Sequence, residues 1–139
     1  MEVEGMRHIV VVAEDKRGLL ADISYLLGKA KINMENVSVE VVGTKSIVRI
    51  FVKNEEKAEK VLSANGYKVL SHDNLVLRIE DKPGEWSKAA ELLKKEGIEL
   101  KNVSLITKGK KYHFYSIVTD RNKRAEKILA DYVWSEGEL

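Results

Sequence analysis

The chain has 139 residues, 44% of them hydrophobic, which is enough for one ordinary domain or two small ones with a buried core. Its 24 basic and 22 acidic side chains leave a formal charge of only +2, which gives no field that favours nucleic acid or an anionic membrane. Because the chain has no cysteine, a disulfide framework, a thiolate nucleophile and a thiolate zinc site are excluded.

The first half of the chain is predicted to form strand, helix, strand, strand, helix, strand. Its strands are short β-branched runs, and its helices carry one apolar stripe each. The predicted elements are a strand at His8–Glu14, a helix after Gly18, a hairpin of Asn36–Val42 and Ile47–Val52 around Gly43-Thr44, a charged helix at about 55–64 and a short strand at Tyr67–Ser71.

The second half repeats the first. Residues 8–52 align with residues 74–118, and about a third of the aligned positions are identical. After a shift of one residue, Ala58–Leu62 aligns with Ala125–Leu129, so we predict a tandem duplication with domains at 1–72 and 73–139. The corresponding elements are strands at Leu75–Glu80, Asn102–Thr107, Tyr112–Val118 and Tyr132–Ser135, with a second helix at about 121–131.

This order of elements predicts the fold. Two right-handed strand–helix–strand connections in each half give an α+β chain of two ferredoxin-like βαββαβ units in tandem. Each unit is expected to be a four-stranded antiparallel sheet with two helices on one face. Because His8–Ala13 is apolar on both of its faces, we expect the first sheet to be covered also on the side away from its helices.

A glycine turn between the first strand and the first helix occurs twice, within AEDKRGLLADI and RIEDKPGEWSKA. Gly18 and Gly84 can adopt the positive φ that a tight reversal needs. Backbone N–H groups at the start of the following helix then favour a carboxylate or a phosphate. The alternative interpretation is that glycine only permits the turn and that the charged neighbours are solvated.

The turns and the segments after them resemble an ACT domain, the amino-acid-sensing module of biosynthetic enzymes and regulators. The resemblance covers about residues 7–134, but Arg17 replaces a frequent proline, and Glu85 and Trp86 replace small or apolar residues. It is carried by Asp81-Lys82-Pro83-Gly84, Lys95-Glu96-Gly97-Ile98 and Asn102-Val103-Ser104, and by Asp15-Lys16-Arg17-Gly18-Leu19-Leu20-Ala21 and Ile32-Asn33-Met34.

The resemblance implies a ligand site at a seam, where the glycine turn and first helix of one ACT unit face the second strand of another. Turn N–H groups would bind the ligand carboxylate, an aspartate its ammonium, and Leu20 or Trp86 its side chain. An aspartate that serves its own turn, and a tryptophan that packs in the core, are the alternatives. The implied residues are Asp15, Arg17, Gly18, Leu19, Leu20, Asn33, Asn36, Val37 and Ser38, with Asp81, Pro83, Gly84, Glu85, Trp86, Asn102, Val103 and Ser104.

The function that the resemblance implies is regulatory and non-catalytic. The expected partners are an amino acid, further copies of the chain in a dimer or higher oligomer, and a separate enzyme or regulator. No cofactor, metal, nucleic acid or membrane is expected, and without a signal-peptide or membrane-spanning run we expect a cytoplasmic protein. Glu85 can occupy the N–H groups of its helix and Trp86 adds bulk, so the first turn is expected to hold the principal site.

Three other functions are compatible with the pattern. An acylphosphatase would pair Arg17 with Asn36 or Asn54, but the loop that cradles its anion is absent. An RNA-recognition motif would use the aromatic residues of Lys108–Tyr115, but Leu75–Ile79 has no aromatic residue for stacking. The third function is assembly without a ligand.

The histidines His8, His72 and His113 have no metal-ligand spacing.

Overall fold

A computed structural model describes residues 7–71 and 73–134. The chain divides into two compact units, Met1–His72 and Asp73–Leu139, called unit 1 and unit 2 below. Both have the predicted α+β architecture, because each packs helices against an antiparallel sheet. His72 and Ser135, which the sequence placed in or beside strands, lie outside the described residues. None of the helices in the described ranges combines the length and apolar character that a membrane crossing requires.

Unit 1 has the predicted order of strands and helices, with boundaries within two residues of those expected. Its sheet has the strand order β2-β3-β1-β4, and neighbouring strands are antiparallel. The elements are β1 (Arg7–Glu14), α1 (Leu19–Lys29), β2 (Asn36–Val42), β3 (Lys45–Val52), α2 (Glu55–Ala64) and β4 (Lys68–Leu70).

The two helices of unit 1 begin for different reasons. α1 starts at the left-handed residue Gly18, and its buried residues Leu19, Ile23 and Leu27 recur every four positions, which places them on one helix face. α2 starts at Asn54, whose side chain accepts a hydrogen bond of 3.1 Å from the backbone N–H of Lys57. Both helices pack on the same side of the sheet and enclose the core of the unit.

Unit 2 repeats this arrangement up to its last element. Its three-stranded sheet has the order β5-β7-β6, and its core again lies between the sheet and the helices. The elements are β5 (Leu75–Glu80), α3 (Glu85–Lys95), β6 (Leu100–Lys108), β7 (Tyr112–Thr119) and α4 (Asn122–Ile128).

The end of unit 2 differs from the predicted fourth strand and from the predicted helix at 121–131. α4 ends at Ile128, and the chain then meets β5 through one isolated bridge, Leu77 to Val133. The backbone N–H of Arg78 donates to the carbonyl of Tyr132, and that of Trp134 donates to the carbonyl of Val76. These hydrogen bonds tie the chain after α4 to β5, so this segment cannot continue as a helix. The predicted fourth strand is present only as the isolated bridge.

The sheet faces away from the helices are buried as well. Val10 and Ile47 in unit 1 are fully buried although they lie beside the core residues of the helix side. In unit 2, Phe114 and Trp134 are buried on the corresponding side, with their rings edge to face at 6.3 Å between centroids. Alternating positions of the central strands therefore contribute to two buried layers rather than one.

Candidate functional site

The first glycine turn has an open, uncapped helix start. Gly18 has φ 81°, a left-handed conformation that favours glycine, and a Cβ built there would meet nothing within 4 Å. Because the N-cap residue is glycine, no N-cap side chain is present to accept a hydrogen bond from the first turn of α1. The turn is closed by its own backbone, through the N–H of Leu19 to the carbonyl of Lys16 at 3.3 Å. This geometry leaves room for an anion beside the first turn of α1.

Asp15 ties the turn to the neighbouring hairpin. Its N–H donates to the carbonyl of Thr44 at 2.8 Å, and its Oδ1 accepts a hydrogen bond of 3.0 Å from Ser46 Oγ. The aspartate therefore serves the local fold, as the alternative interpretation expects, but through β3 rather than through its own turn. Its carboxylate remains exposed at the surface.

Charged side chains around this turn are paired with each other. Lys16 Nζ lies 3.3 Å from Asp22 Oδ2, and Lys45 Nζ lies 2.7 Å from Glu14 Oε1. The hydrogen bond from Lys45, together with its charge, lowers the pKa of Glu14. Because the folded pKa is depressed, any stabilisation is present above the ordinary carboxyl pKa and is lost as the pH falls through the folded value. Arg17 is exposed to solvent.

The second glycine turn has the same backbone but different neighbours. Gly84 has φ 90°, and the N–H of Asp81 donates to the carbonyl of Lys111 at 2.8 Å, as Asp15 does to its own hairpin. The carboxylate of Asp81 lies 3.4 Å from His113 Nε2. Pro83 is exposed. Both aspartates therefore join a glycine turn to a hairpin of the same unit.

Glu85 and Trp86, which follow the second glycine, both make contacts within unit 2. Glu85 is buried, and its Oε2 lies 3.0 Å from Lys88 Nζ, so this oxygen faces a lysine rather than the N–H groups that the sequence suggested. The contact of the Lys88 ammonium with the Glu85 carboxylate, and then the negative charge of that carboxylate, raise the pKa of Lys88. Trp86 packs edge to face on Tyr115 at 5.0 Å between ring centroids and joins the core of unit 2.

The structure places the two groups of predicted site residues at opposite ends of each sheet. Glu14 and Val42 are both opposite Lys45, whereas Asn36 is opposite Phe51. Six steps of strand, at about 3.4 Å each, separate these ends by roughly 20 Å. A single unit brings the end of its second strand, but not the start of that strand, to its glycine turn. The distant residues are Asn33, Asn36, Val37 and Ser38 in unit 1, and Asn102, Val103 and Ser104 in unit 2.

An apolar surface remains exposed on the helix side of unit 1. Val39 and Val41 of β2 are 37% and 54% exposed, and Leu20 of α1 is 40% exposed. Val39 is opposite the core residue Val48, so its side chain lies on the helix side. Ser24, one turn after Leu20, contacts Met34 immediately before β2, so this stripe of α1 faces β2. We call Leu20, Val39 and Val41 the apolar edge surface.

Val39 and Val41 were not among the residues predicted for the site. The available signal was the alternation of valine through β2, which places three of them on one side of the strand. The corresponding side of unit 2 is partly occupied, because Trp86 stands at the position of Leu20 and closes onto Tyr115. Val103 and Leu105 of β6 are nevertheless 44% and 43% exposed, so unit 2 also presents apolar side chains on this side.

A depression of about 350 Å³ lies on the other side of the first turn. It is lined by the end of β1, by Lys16 and Leu19 of the turn, and by Gly66, Tyr67 and Lys68 before and within β4. Of the predicted site residues, only Leu19 lines it. It is a second concave surface beside the turn, and lysine side chains contribute to its lining.

The residues that an acylphosphatase would pair are not brought together. Arg17 lies in the glycine turn, whereas Asn36 and Asn54 lie at the far end of the sheet, where Asn54 caps α2. His8 packs against the ring of Phe51 at 5.5 Å, and His113 lies beside Asp81. Within residues 7–71 and 73–134, no group of histidine, aspartate and glutamate side chains could hold a metal ion.

The aromatic strand that suggested RNA binding is occupied by packing. Phe114 is buried against Trp134, and Tyr112 lies under the guanidinium of Arg78, 4.7 Å from its ring centroid. Base stacking needs an exposed aromatic face. Neither ring is presented in that way, so the geometry does not support an RNA-recognition motif.

Comparison with known families identifies one match. A family model described as an ACT domain pair matches residues 4–131, nearly the whole chain. No curated protein sequence matches.

The solved structures to which this chain is similar are distant in sequence. A protein from Bacteroides thetaiotaomicron is 21% identical, with 90% of this chain and 86% of that chain covered and a TM-score of 0.47. The regulatory subunit of aspartate kinase from Thermus thermophilus is 14% identical, with 91% of each chain covered and a TM-score of 0.44. The acetolactate synthase small subunit from Thermotoga maritima is 12% identical, with 94% and 90% covered and a TM-score of 0.41.

Proposed function

Because the chain belongs to the family of ACT domain pairs, we propose that it is a non-catalytic regulatory protein that binds an amino acid at the glycine turn of unit 1. The observation that carries this proposal is the left-handed, uncapped start of α1 at Gly18, with open space around it and the exposed Leu20 two residues later. A backbone of this kind accepts a carboxylate without a dedicated cationic side chain.

Each part of an amino acid has a matching group at this turn. The N–H groups at the start of α1 would bind the α-carboxylate, and the exposed carboxylate of Asp15 would accept the α-ammonium while Ser46 holds it in place. Leu20 would contact an apolar side chain. Glycine is needed at position 18 because a side chain there would both strain the turn and occupy the space beside the N–H groups.

We propose that a second copy of the chain completes the site. The turn and the start of β2 lie about 20 Å apart in one unit, so residues of both groups can meet only across two units. A facing copy would bring Asn36 and Ser38 toward the turn and would cover the apolar edge surface. Ligand binding and self-association are then coupled, which gives the protein an output for a separate enzyme or regulator.

Unit 1 is the better of the two candidates for the principal site. Its turn is followed by Leu19 and by the exposed Leu20, whereas in unit 2 the buried Glu85 brings a carboxylate to the start of α3. A negative charge there would repel the carboxylate of a ligand. Trp86 also packs onto Tyr115, so it belongs to the core of unit 2 rather than to an open site.

A thermal-shift screen against the twenty amino acids tests the proposed function. A ligand present at 100 times its dissociation constant should stabilise the native state by about 2.7 kcal/mol. We expect one amino acid, or a small group of similar ones, to raise the melting temperature by several degrees, with D-enantiomers as matched controls. If no amino acid or closely related metabolite shifts the melting temperature, the proposal is wrong.

A second candidate function is assembly without a ligand. The observation that favours it is the apolar edge surface. We expect Val41→Asp to weaken self-association at least about tenfold, because a charge would have to be buried in the interface. Sedimentation equilibrium measures the effect, and Tyr25→Asp on the exposed face of α1 is the control. A wild-type chain that stays monomeric at high concentration would contradict both this function and a shared ligand site.

A further inference from the structure

A small basic cavity lies in unit 1 at the end opposite the glycine turn. It has a volume of about 180 Å³ and is lined by Lys31, Lys53 and Lys57, with Glu35 and Asn54 at its wall. Lys31 follows the end of α1, Lys53 follows β3, and Lys57 lies in the first turn of α2. Three segments that are distant in sequence therefore each contribute one lysine to the lining of one cavity, which includes a single carboxylate residue.

The positive charge of this cavity is not neutralised within the described residues. No ion pair joins any of the three lysines to a carboxylate there, whereas other lysines of unit 1, such as Lys16 and Lys45, are paired. Lys57 Nζ donates to the carbonyl of Ala30 at 2.9 Å, which holds its ammonium at the cavity. The start of α2 is already capped by Asn54, so the charge depends on the side chains.

Lys31 occupies a position that normally takes glycine. It is the only non-glycine residue with positive φ among the described residues, at φ 60°. The equivalent position in unit 2, after the end of α3, is Gly97 with φ 67°. A lysine in a left-handed conformation is strained relative to glycine. Unit 1 therefore has a charged side chain at a position where the backbone conformation favours glycine.

Unit 2 shows what this end of the fold looks like without the basic cavity. Matching the helix N-caps Asn54 and Arg121 places Asp120 at the position of Lys53 and Arg124 at the position of Lys57. The Asp120 carboxylate accepts the N–H of Glu99 at 2.9 Å, and Arg124 pairs with Glu96 at 2.6 Å. The equivalent charges are therefore satisfied internally in unit 2, and the unpaired lysines are specific to unit 1.

From this contrast we propose that the basic cavity of unit 1 binds a small oxyanion of multiple charge, recognised through a phosphoryl group. Its lining has two more positive than negative charges, which matches a phosphate dianion better than a single carboxylate. Lysine ammonium groups bind phosphate as point charges, whereas the planar fork of arginine makes two-point contact with carboxylate and phosphate alike, so the assignment rests on the charge balance. The volume admits inorganic phosphate or the phosphoryl end of a small metabolite. The cavity lies at the end of unit 1 opposite the glycine turn, and Asn33, one of the residues implied for the amino-acid seam, also lines it.

Isothermal titration calorimetry with inorganic phosphate tests the proposal at constant ionic strength, set with sodium chloride. We expect saturable binding of one phosphate per chain. Lys53→Gln and Lys31→Gly should each weaken it about tenfold or more, the loss of about one charged hydrogen bond. Lys31→Gly also removes the backbone strain, so its melting temperature should be unchanged or higher, which separates lost binding from lost folding.

The matched control is Lys123→Gln, which removes the same charge from an exposed position of α4 in unit 2. It should leave the phosphate affinity unchanged. Glycerol 2-phosphate and succinate distinguish the chemistry: binding of the ester as well as inorganic phosphate points to a metabolite, and tighter binding of succinate overturns the phosphoryl assignment. Absence of saturable binding, or an equal loss in Lys123→Gln, overturns the site itself.

Discussion

Replacing Gly18 by valine is expected to weaken binding of the amino acid by about 10- to 100-fold. The backbone N–H groups at the start of α1 are proposed to contact the ligand carboxylate, and each charge-assisted hydrogen bond contributes about 1.5–3 kcal/mol. Valine is strained at φ 81° and places a branched side chain in the space beside these groups. Calorimetric titration of the amino acid found in the screen measures the change.

Gly84→Val is the matched control for this variant. It introduces the same residue at φ 90° in unit 2, again with no atom near the new Cβ, so the backbone strain is comparable. We expect the affinity to change little, because the proposed site lies in unit 1 and the second glycine is followed by the buried Glu85 and by Trp86, which packs on Tyr115. Circular dichroism and urea unfolding establish that both variants remain folded. If Gly84→Val abolishes binding and Gly18→Val does not, the site has been assigned to the wrong unit.

Trp134→Ala is expected to reduce the free energy of unfolding by about 3–5 kcal/mol, the usual cost of removing a large buried aromatic side chain. Trp134 is 2% exposed, packs edge to face on Phe114, and donates its backbone N–H to Val76. The cost is a large fraction of the 5–15 kcal/mol that stabilises a typical domain. Urea denaturation followed by circular dichroism measures it.

Tyr25→Ala provides the comparison for the tryptophan variant. Tyr25 is 67% exposed on α1, so its removal should change the stability by no more than about 0.5 kcal/mol. If Trp134→Ala lowers the free energy of unfolding by less than about 1 kcal/mol, the buried side chain of Trp134 does not stabilise unit 2 as its burial indicates.

The duplication, the order of elements and the family resemblance were all accessible from the amino-acid sequence. Local patterns are enough for these features, because strands with β-branched runs, helices with a stripe such as Leu19, Ile23 and Leu27, and glycine before a helix each reflect near neighbours in the chain. Repetition of the pattern made each assignment more specific than a single motif would be. The match of the ACT domain pair model to residues 4–131 confirms the resemblance.

The features that depend on distant residues required the tertiary structure. Ser46 is the partner of Asp15, Tyr115 covers Trp86, and backbone hydrogen bonds join Tyr132 and Trp134 to β5 soon after α4 ends. No local pattern predicts which side chain a fold brings opposite another. The separation of the turn from the start of β2, and the meeting of Lys31, Lys53 and Lys57, likewise follow from strand register and chain reversal. Sequence spacing does not specify either, because packing sets which ends of the elements lie together.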